Sequence, residues 1–584
     1  MPQSPEDPEP SSAEGDAERI PSRRRFLSAS GWGAAGLVTG AVSGGLIAGA
    51  VVGSENNKDE RYGFSPLPAR PEPGFDHLVV LMFENRSFDH VLGRLYDGVR
   101  PPRGQAFEGV RNGEHPNRAP DGTAVASFVY DDPTDVLFSQ PNPDPGETYP
   151  HVNTQLFGVV DPPSNADPGT EDGIRAPWNA PESGREPTMD GFVHDYVTNY
   201  RIQRASEPSL SEYSPVMGGF TPEMLPVFSA LARSFAVFDH WHCAVPSQTF
   251  CNRSFFHAST SHGFVTNGQG GGPDKWLNAP DVPTLFNRLQ DAGLSWRVYY
   301  DAEQVVSLTG LLHAPSIERY WKTNFRSMDQ FREDAANGDL PVYSFIEPRM
   351  VFDHNDMHPP ENIPTLSTHG FESAFSDVRA AEALLADVYT SIRNSSSAKG
   401  SNAINTALLV TFDEHGGLFD HVPPPSATPP SGHPDPGEMG FTFDRLGLRV
   451  PTILVSAYVE EGTVESEPTQ HASVASSLTR QHGLKPLTER DKHARTLQET
   501  IRLTVPRQPQ LWPDVQAPYV PANPERRRAE PAGRDRERPL TSPAKGLLGL
   551  LLAKYEPQAA RPETFGDAYD TLHRHGELLF GTTD

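Results

Sequence analysis

The sequence predicts an α/β fold built on a mostly parallel sheet. Three observations carry this. Apolar runs of strand length recur: LVVLMF at Leu78–Phe83, which has no polar break, ALLVTF at Ala407–Phe412 and VPTILVSAYV at Val450–Val459. Such runs suit strands covered on both faces, as in parallel sheets. Helical periodicity separates them, most clearly in SDVRAAEALLADVYTSIR at Ser376–Arg393, and strand–helix alternation implies parallel topology. The first two runs also stop at paired oxygen donors, Glu84-Asn85 and Asp413-Glu414. Ligands of open parallel sheets sit beyond the carboxyl ends of the strands.

Taken in order, residues 1–50 read as a targeting segment. SRRRFLS at Ser22–Ser28 carries a twin-arginine pattern, and no charged residue follows until Glu55. This predicts export by the twin-arginine machinery, to the cell envelope or beyond it. Ala48-Gly49-Ala50 offers a cleavage site, although the apolar stretch is also long enough for a retained anchor. Residues 51–74 read as a linker and 75–506 as the catalytic domain. Within it, residues 100–186 are rich in Pro, Asp, Gly and Asn; loops of that length are functional lids or disordered insertions. TPEMLPVFSALARSF reads as a helix with Thr221 at its N-cap, followed by the strand of SFAVFD, and PTLFNRLQDAG as a helix leading into the strand of SWRVYY. Residues 507–584 read as a tail: Pro521 to Pro539 is Pro-, Arg- and Glu-rich and expected to lack structure. GLLGLLLA, within Ala544–Tyr555, is too short to span a bilayer and reads as a short helix docking on the domain or as a weak surface contact.

Composition excludes some functions. The 584 residues carry a formal charge of −27, which argues against nucleic acid as a partner, because phosphate backbones need clustered Lys and Arg. The two cysteines, Cys243 and Cys251, are too few for a structural zinc site, and their spacing is compatible with a small disulfide loop in an exported protein.

The donor pairs after the two strands, more than three hundred residues apart, point to one shared cation, since carboxylate and amide oxygens are hard ligands. AVPSQTFCNRSFFH at Ala244–His257 places Thr249 at a strand-to-helix junction. A hydroxyl there serves as a nucleophile once activated, and serves equally as a helix cap. EPRMVFDHNDMHPPEN at Glu347–Asn362 sets His358 among acids, which suits general acid chemistry. His151 lies among polar and aromatic neighbours in DPGETYPHVNTQLFG.

ENRSFDH at Glu84–His90, TxxNR at Thr249–Arg253, NDxHPP at Asn355–Pro360, DEHGGxxDHV at Asp413–Val422 and VPTILVSAYVEEGTV at Val450–Val464 occur in that order. Together they resemble the bacterial phospholipase C and acid phosphatase family of phosphoesterases, which includes plant non-specific phospholipases C. The resemblance implies an alkaline-phosphatase-like three-layer α/β/α sandwich. It implies one divalent cation held by Glu84, Asn85, Thr249, Asp413 and Glu414, with Thr249 as nucleophile, His358 as acid and His151 on phosphate. The implied substrate is a phosphate ester: a phospholipid, or for an acid phosphatase a small phosphomonoester. Cys251 stands where the family usually has Pro and Met357 where an acid is common. A non-catalytic binding protein would lack a nucleophile or acid, and none is missing. A sulfatase would need a CxPxR motif, which is absent.

Receptor-read signals depend on the arginine pair. Arg23→Lys combined with Arg24→Lys should therefore abolish appearance outside the cytoplasm while leaving specific activity unchanged. Normal export of the double variant, followed by fractionation and immunoblotting, would refute the assignment.

Overall fold

The strands form one eight-stranded sheet because their apolar runs can be covered on both sides. The computed structural model describes residues 67–581 apart from 131–132, 171–172, 269–271, 361, 364–371, 374–375 and 522–529. The twin-arginine segment, the cleavage site and most of the linker lie outside the described residues. The strands are β1 His77–Phe83, β2 Ala236–Phe238, β3 Trp296–Tyr300, β4 Phe325–Ser327, β5 Tyr343–Glu347, β6 Thr406–Phe412, β7 Thr452–Val455 and β8 Thr463–Glu465, in the order β8-β2-β7-β6-β1-β5-β3-β4. All pairings are parallel except those of β7, which runs antiparallel to both β6 and β2. Every residue of β5, β6 and β7 is buried, so helices must cover both faces. One layer holds α3 Pro226–Ser234, α6 Met328–Asn337 and α7 Val378–Arg393; the other holds α4 Thr249–Ala258, α5 Leu285–Asp291 and α8 Ala472–Gln481. The α/β/α expectation holds.

The structure moves three boundaries. Helix α3 starts at Pro226, not after Thr221, because proline is preorganised for the first helical position. The run at Val450–Val459 keeps only Thr452–Val455 as strand. The insertion at 100–186 is no bare loop: α1 Tyr149–Phe157 packs on α2 Phe192–Arg204, and Val152, Leu156, Phe192, Val193 and Tyr196 form a second small core.

The C-terminal region is part of the domain. Gly533–Glu537 forms a short turn of helix within the stretch expected to lack structure. Helix α9, Ser542–Tyr555, buries Leu547, Leu548, Leu550 and Leu551 completely. It approaches closely through glycines: a Cβ on Gly546 would stand 2.7 Å from the Phe250 ring. Phe580 packs on Tyr300, Trp321 and Phe325, covering the β3–β4 end of the sheet, where an edge strand would otherwise be bare. Among the described residues no helix is long and apolar enough to cross a membrane.

The first N–H groups of α3 lack a local cap and are met from α7 instead. Glu382 accepts from Val227 N at 2.6 Å and Phe228 N at 2.8 Å. Burial pushes its carboxyl up to about 8, against the pull of these two donors. An acid whose folded pKa is raised contributes stability that is complete below its ordinary value of 4.5 and is lost as pH rises through about 8. Melting curves of wild type should therefore fall progressively relative to Glu382→Gln across that window. Parallel curves would show that burial does not hold the proton.

Candidate active site

Strands β1 and β6 lie side by side in parallel, with Phe83 opposite Phe412. The residues after them leave the sheet together, so Glu84-Asn85 and Asp413-Glu414 emerge at one edge. The join is tight: Asp413 N donates to Phe83 O at 3.1 Å and Glu84 N to Asp356 O at 2.8 Å. Side chains alternate along strands. Phe83 and Phe412 meet Phe228 of α3, with ring centroids 5.5–5.9 Å apart. Glu84 and Asp413 consequently face the other layer, where α4 begins.

Thr249 is the first residue of α4, and its N-cap is Gln248. Its hydroxyl caps nothing; it donates to Glu84 Oε2 at 3.2 Å. Arg253, one helical turn on, shares that face. It pairs with Glu84 Oε1 and stands 3.4 Å from Asp413 Oδ2. Asn252 holds the approach to the helix, accepting from Val245 N at 2.9 Å and donating to Ser247 O at 2.7 Å. The TxxNR motif thus divides into a hydroxyl for the site, an amide for the turn and a guanidinium for the acids. Asn85 N donates to Asp413 Oδ1 at 3.2 Å, Glu414 N to the same oxygen at 2.8 Å, and Asn85 Nδ2 to Glu147. His471 Nδ1 accepts from Trp241 Nε1 at 3.2 Å, so Nε2 carries the proton and donates to Asp413 O at 2.6 Å.

The glycines of DEHGG are required by close approach. A Cβ on Gly416 would lie 2.3 Å from Asn85 O, one on Gly417 2.3 Å from Gly146 O, and both residues have φ near +65°. Asn85 itself has φ 54°, a conformation asparagine tolerates better than most residues and one common at functional sites.

The electrostatics call for a cation. Glu84, Asp413 and Glu414 are completely buried. Burial pushes the Glu84 and Glu414 carboxyls well above their usual range and raises Asp413, while Arg253 pulls Glu84 and Asp413 down. Asn85 Oδ1, Asp413 Oδ2 and Glu414 Oε1 receive no hydrogen bond. Oxygen donors of this kind fit a divalent ion, whose charge would reverse the pKa shifts.

His358 is buried, with Nδ1 2.7 Å from Pro359 O and Nε2 3.8 Å from Asp144 Oδ2; burial holds its pKa down at about 4. His151, completely buried in α1, hydrogen-bonds Asp195 through Nδ1 at 2.7 Å. It reaches the acids through a chain: Gln155 donates to Asp195 at 2.7 Å and contacts His415 Nε2 at 2.8 Å, and His415 Nδ1 lies 3.4 Å from Glu414. Sequence reasoning missed Asp144 and Glu147, which border the donor set, and Arg253, its guanidinium. Glu147 sits four residues before His151 in the same polar stretch, and that stretch was the available signal. Cys243 and Cys251 are both buried free thiols, so no disulfide links them.

A model of the Phosphoesterase family matches residues 75–485. The chain belongs to this family. It is a phosphoester hydrolase, similar to non-specific phospholipase C1 of Arabidopsis thaliana, with 33% identity over 481 residues covering 78% of this chain and 77% of the relative. Non-specific phospholipase C6 of the same plant is 34% identical, covering 75% of each chain. Phospholipase C B of Mycobacterium tuberculosis is 26% identical, covering 73% of this chain and 76% of its own. Among solved structures, a protein in the alkaline phosphatase superfamily from Vibrio parahaemolyticus aligns over 47% of this chain and 65% of that one, with 10% identity and a TM-score of 0.27.

Gly416→Ala should destabilise the phosphoesterase by about 1–3 kcal/mol, the range for a strained backbone, and should displace Asn85 enough to depress turnover. Urea unfolding and steady-state assays test this. A variant matching wild type in both would mean the Asn85 loop yields at no cost.

Proposed function

We propose that the protein is an exported, metal-dependent, phospholipase C-like phosphoesterase that works through a phosphothreonine on Thr249. The observation that carries this reading is the in-register exit of Glu84-Asn85 and Asp413-Glu414 beside the first residue of α4. The proposed cation ligands are Glu84, Asn85, Thr249, Asp413 and Glu414. A divalent ion bound there supplies Lewis-acid polarisation of a phosphoryl oxygen and eases ionisation of a hydroxyl.

The chain's own groups do the rest. The Thr249 O–H already points at Glu84 Oε2, so the bond that must lose its proton is oriented before substrate arrives. Oγ1 attacks phosphorus in line, the P–O bond to the leaving alkoxide breaks, and water then cleaves the phosphothreonine. Thr249 opens a ten-residue helix, whose N-terminal amides favour the charge on phosphoryl oxygens. Asn85 and His151 are proposed to meet the same oxygens. His358 is the proposed acid for the leaving alkoxide. Its resting imidazole is neutral, so Nε2 must first take up a proton, which an adjacent dianionic phosphoryl group favours. The phospholipase names of the relatives support a phospholipid substrate over a small phosphomonoester, and the twin-arginine pattern supports export.

Thr249→Ala should fold and lose nearly all turnover, whereas loss of a cap would cost only about 0.5–2 kcal/mol of stability. Thr249→Ser should retain part of the rate. Assays on phosphatidylcholine and p-nitrophenyl phosphate, with mass spectrometry of quenched reactions, read this out. Substantial activity in Thr249→Ala would rule out the phosphothreonine.

A further inference from the structure

Asp144, Glu147 and His358 each bring one ligand atom to within 4.8 Å of the other two, and all three residues are buried. None belongs to the ligand set proposed above. The polarity of the His358 ring is fixed by its neighbour. A carbonyl only accepts, so the 2.7 Å contact with Pro359 O puts the proton on Nδ1 and leaves a lone pair on Nε2. That Nε2 has no hydrogen-bond partner in a completely buried residue, and it faces Asp144 Oδ2 at 3.8 Å. An imidazole tethered through one nitrogen to a backbone carbonyl, with the other aimed at carboxylates, is how metal-ligating histidines are held. Ligands about 2.0–2.2 Å from one cation stand about 3–4 Å from each other, so the 3.8 Å between His358 Nε2 and Asp144 Oδ2 suits a shared ion, with Glu147 within 4.8 Å of both.

The donors are also built in place. Asp144 N donates to Pro360 O at 2.9 Å, and Asp144 O accepts from Asn199 at 2.8 Å and Gln203 at 2.7 Å, both on α2. Gly146 O accepts from Gln155 at 2.6 Å, and His358 N donates to Asp356 at 3.1 Å. The loop is anchored through its backbone, and such anchoring presets side-chain donors for a ligand. Glu147 also accepts from Asn85, which places this cluster against the first.

We infer that Asp144, Glu147 and His358 form a second divalent-cation site, adjoining the first through Glu147. The mixed nitrogen and oxygen donors suit zinc or manganese better than calcium. With the ion bound, His358 Nε2 would be a ligand and not the acid, and the ion would stabilise the departing oxygen in its place; this role, though not the binding itself, rests on the phosphoryl-transfer reading above.

The test is metal stoichiometry on the full-length protein, stripped with chelator and titrated with Zn²⁺ or Mn²⁺ by calorimetry and elemental analysis. Wild type should bind two equivalents. His358→Gln and Asp144→Asn, each checked for folding by circular dichroism, should weaken one of them by about 10–100-fold. Asp413→Asn should remove the other. Manganese-loaded wild type should give the spin-coupled paramagnetic resonance spectrum of two neighbouring ions, and His358→Gln the spectrum of an isolated one. One equivalent in wild type, lost in Asp413→Asn, would overturn the second site and leave the first intact. Two equivalents retained in both His358→Gln and Asp144→Asn would also overturn it. No divalent binding at all would overturn both sites.

Discussion

The site depends on the parallel pairing of β1 with β6. With Phe83 opposite Phe412, two segments distant in sequence deliver their polar ends to one place. A one-residue slip would exchange faces, turning Glu84 or Asp413 towards the aromatic cluster on α3. The apolar content of both strands specifies that they are buried; the packing of Phe83 and Phe412 on Phe228 specifies which way each points. The geometry of the candidate site is inherited from core packing one residue earlier.

Burial of the acids makes the arrangement both costly and useful. Carboxylates held away from water resist ionisation, and one guanidinium, Arg253, is shared between Glu84 and Asp413. A site in this condition has a strong electrostatic demand for positive charge, which a bound cation would meet. The tight glycine turn at Gly416–Gly417 and the left-handed Asn85 belong to the same compression: the donor loops approach too closely to admit ordinary side chains between them.

The apolar runs of β1 and β6 and their polar ends were legible because burial on both faces writes itself into local composition. The helix of α7 was legible from its periodicity. Thr249 was ambiguous locally, and the ambiguity disappeared only when Gln248 proved to occupy the N-cap position and Glu84 to be the partner of the hydroxyl. The antiparallel course of β7 could not be read, because strand direction is set by connections and not by the strand's own residues. Asp144 and Glu147 were hidden in a polar stretch where an acid carries no mark distinguishing solvent from site. The C-terminal leucines suggested docking, but that α9 rests on the same helix that presents Thr249 is a property of the assembled fold.

The position of β1 has a consequence for how the chain is made. It is the first strand synthesised yet sits in the middle of the sheet, between β5 and β6. Its partner β6 ends at Phe412, so roughly 330 further residues must emerge before the central ladder can close. At roughly 5–20 residues per second that interval is on the order of 20–60 s, and for most of it, until β5 emerges at Tyr343–Glu347, β1 has neither of its sheet neighbours. The central ladder therefore closes late, after both neighbours of β1 have been made.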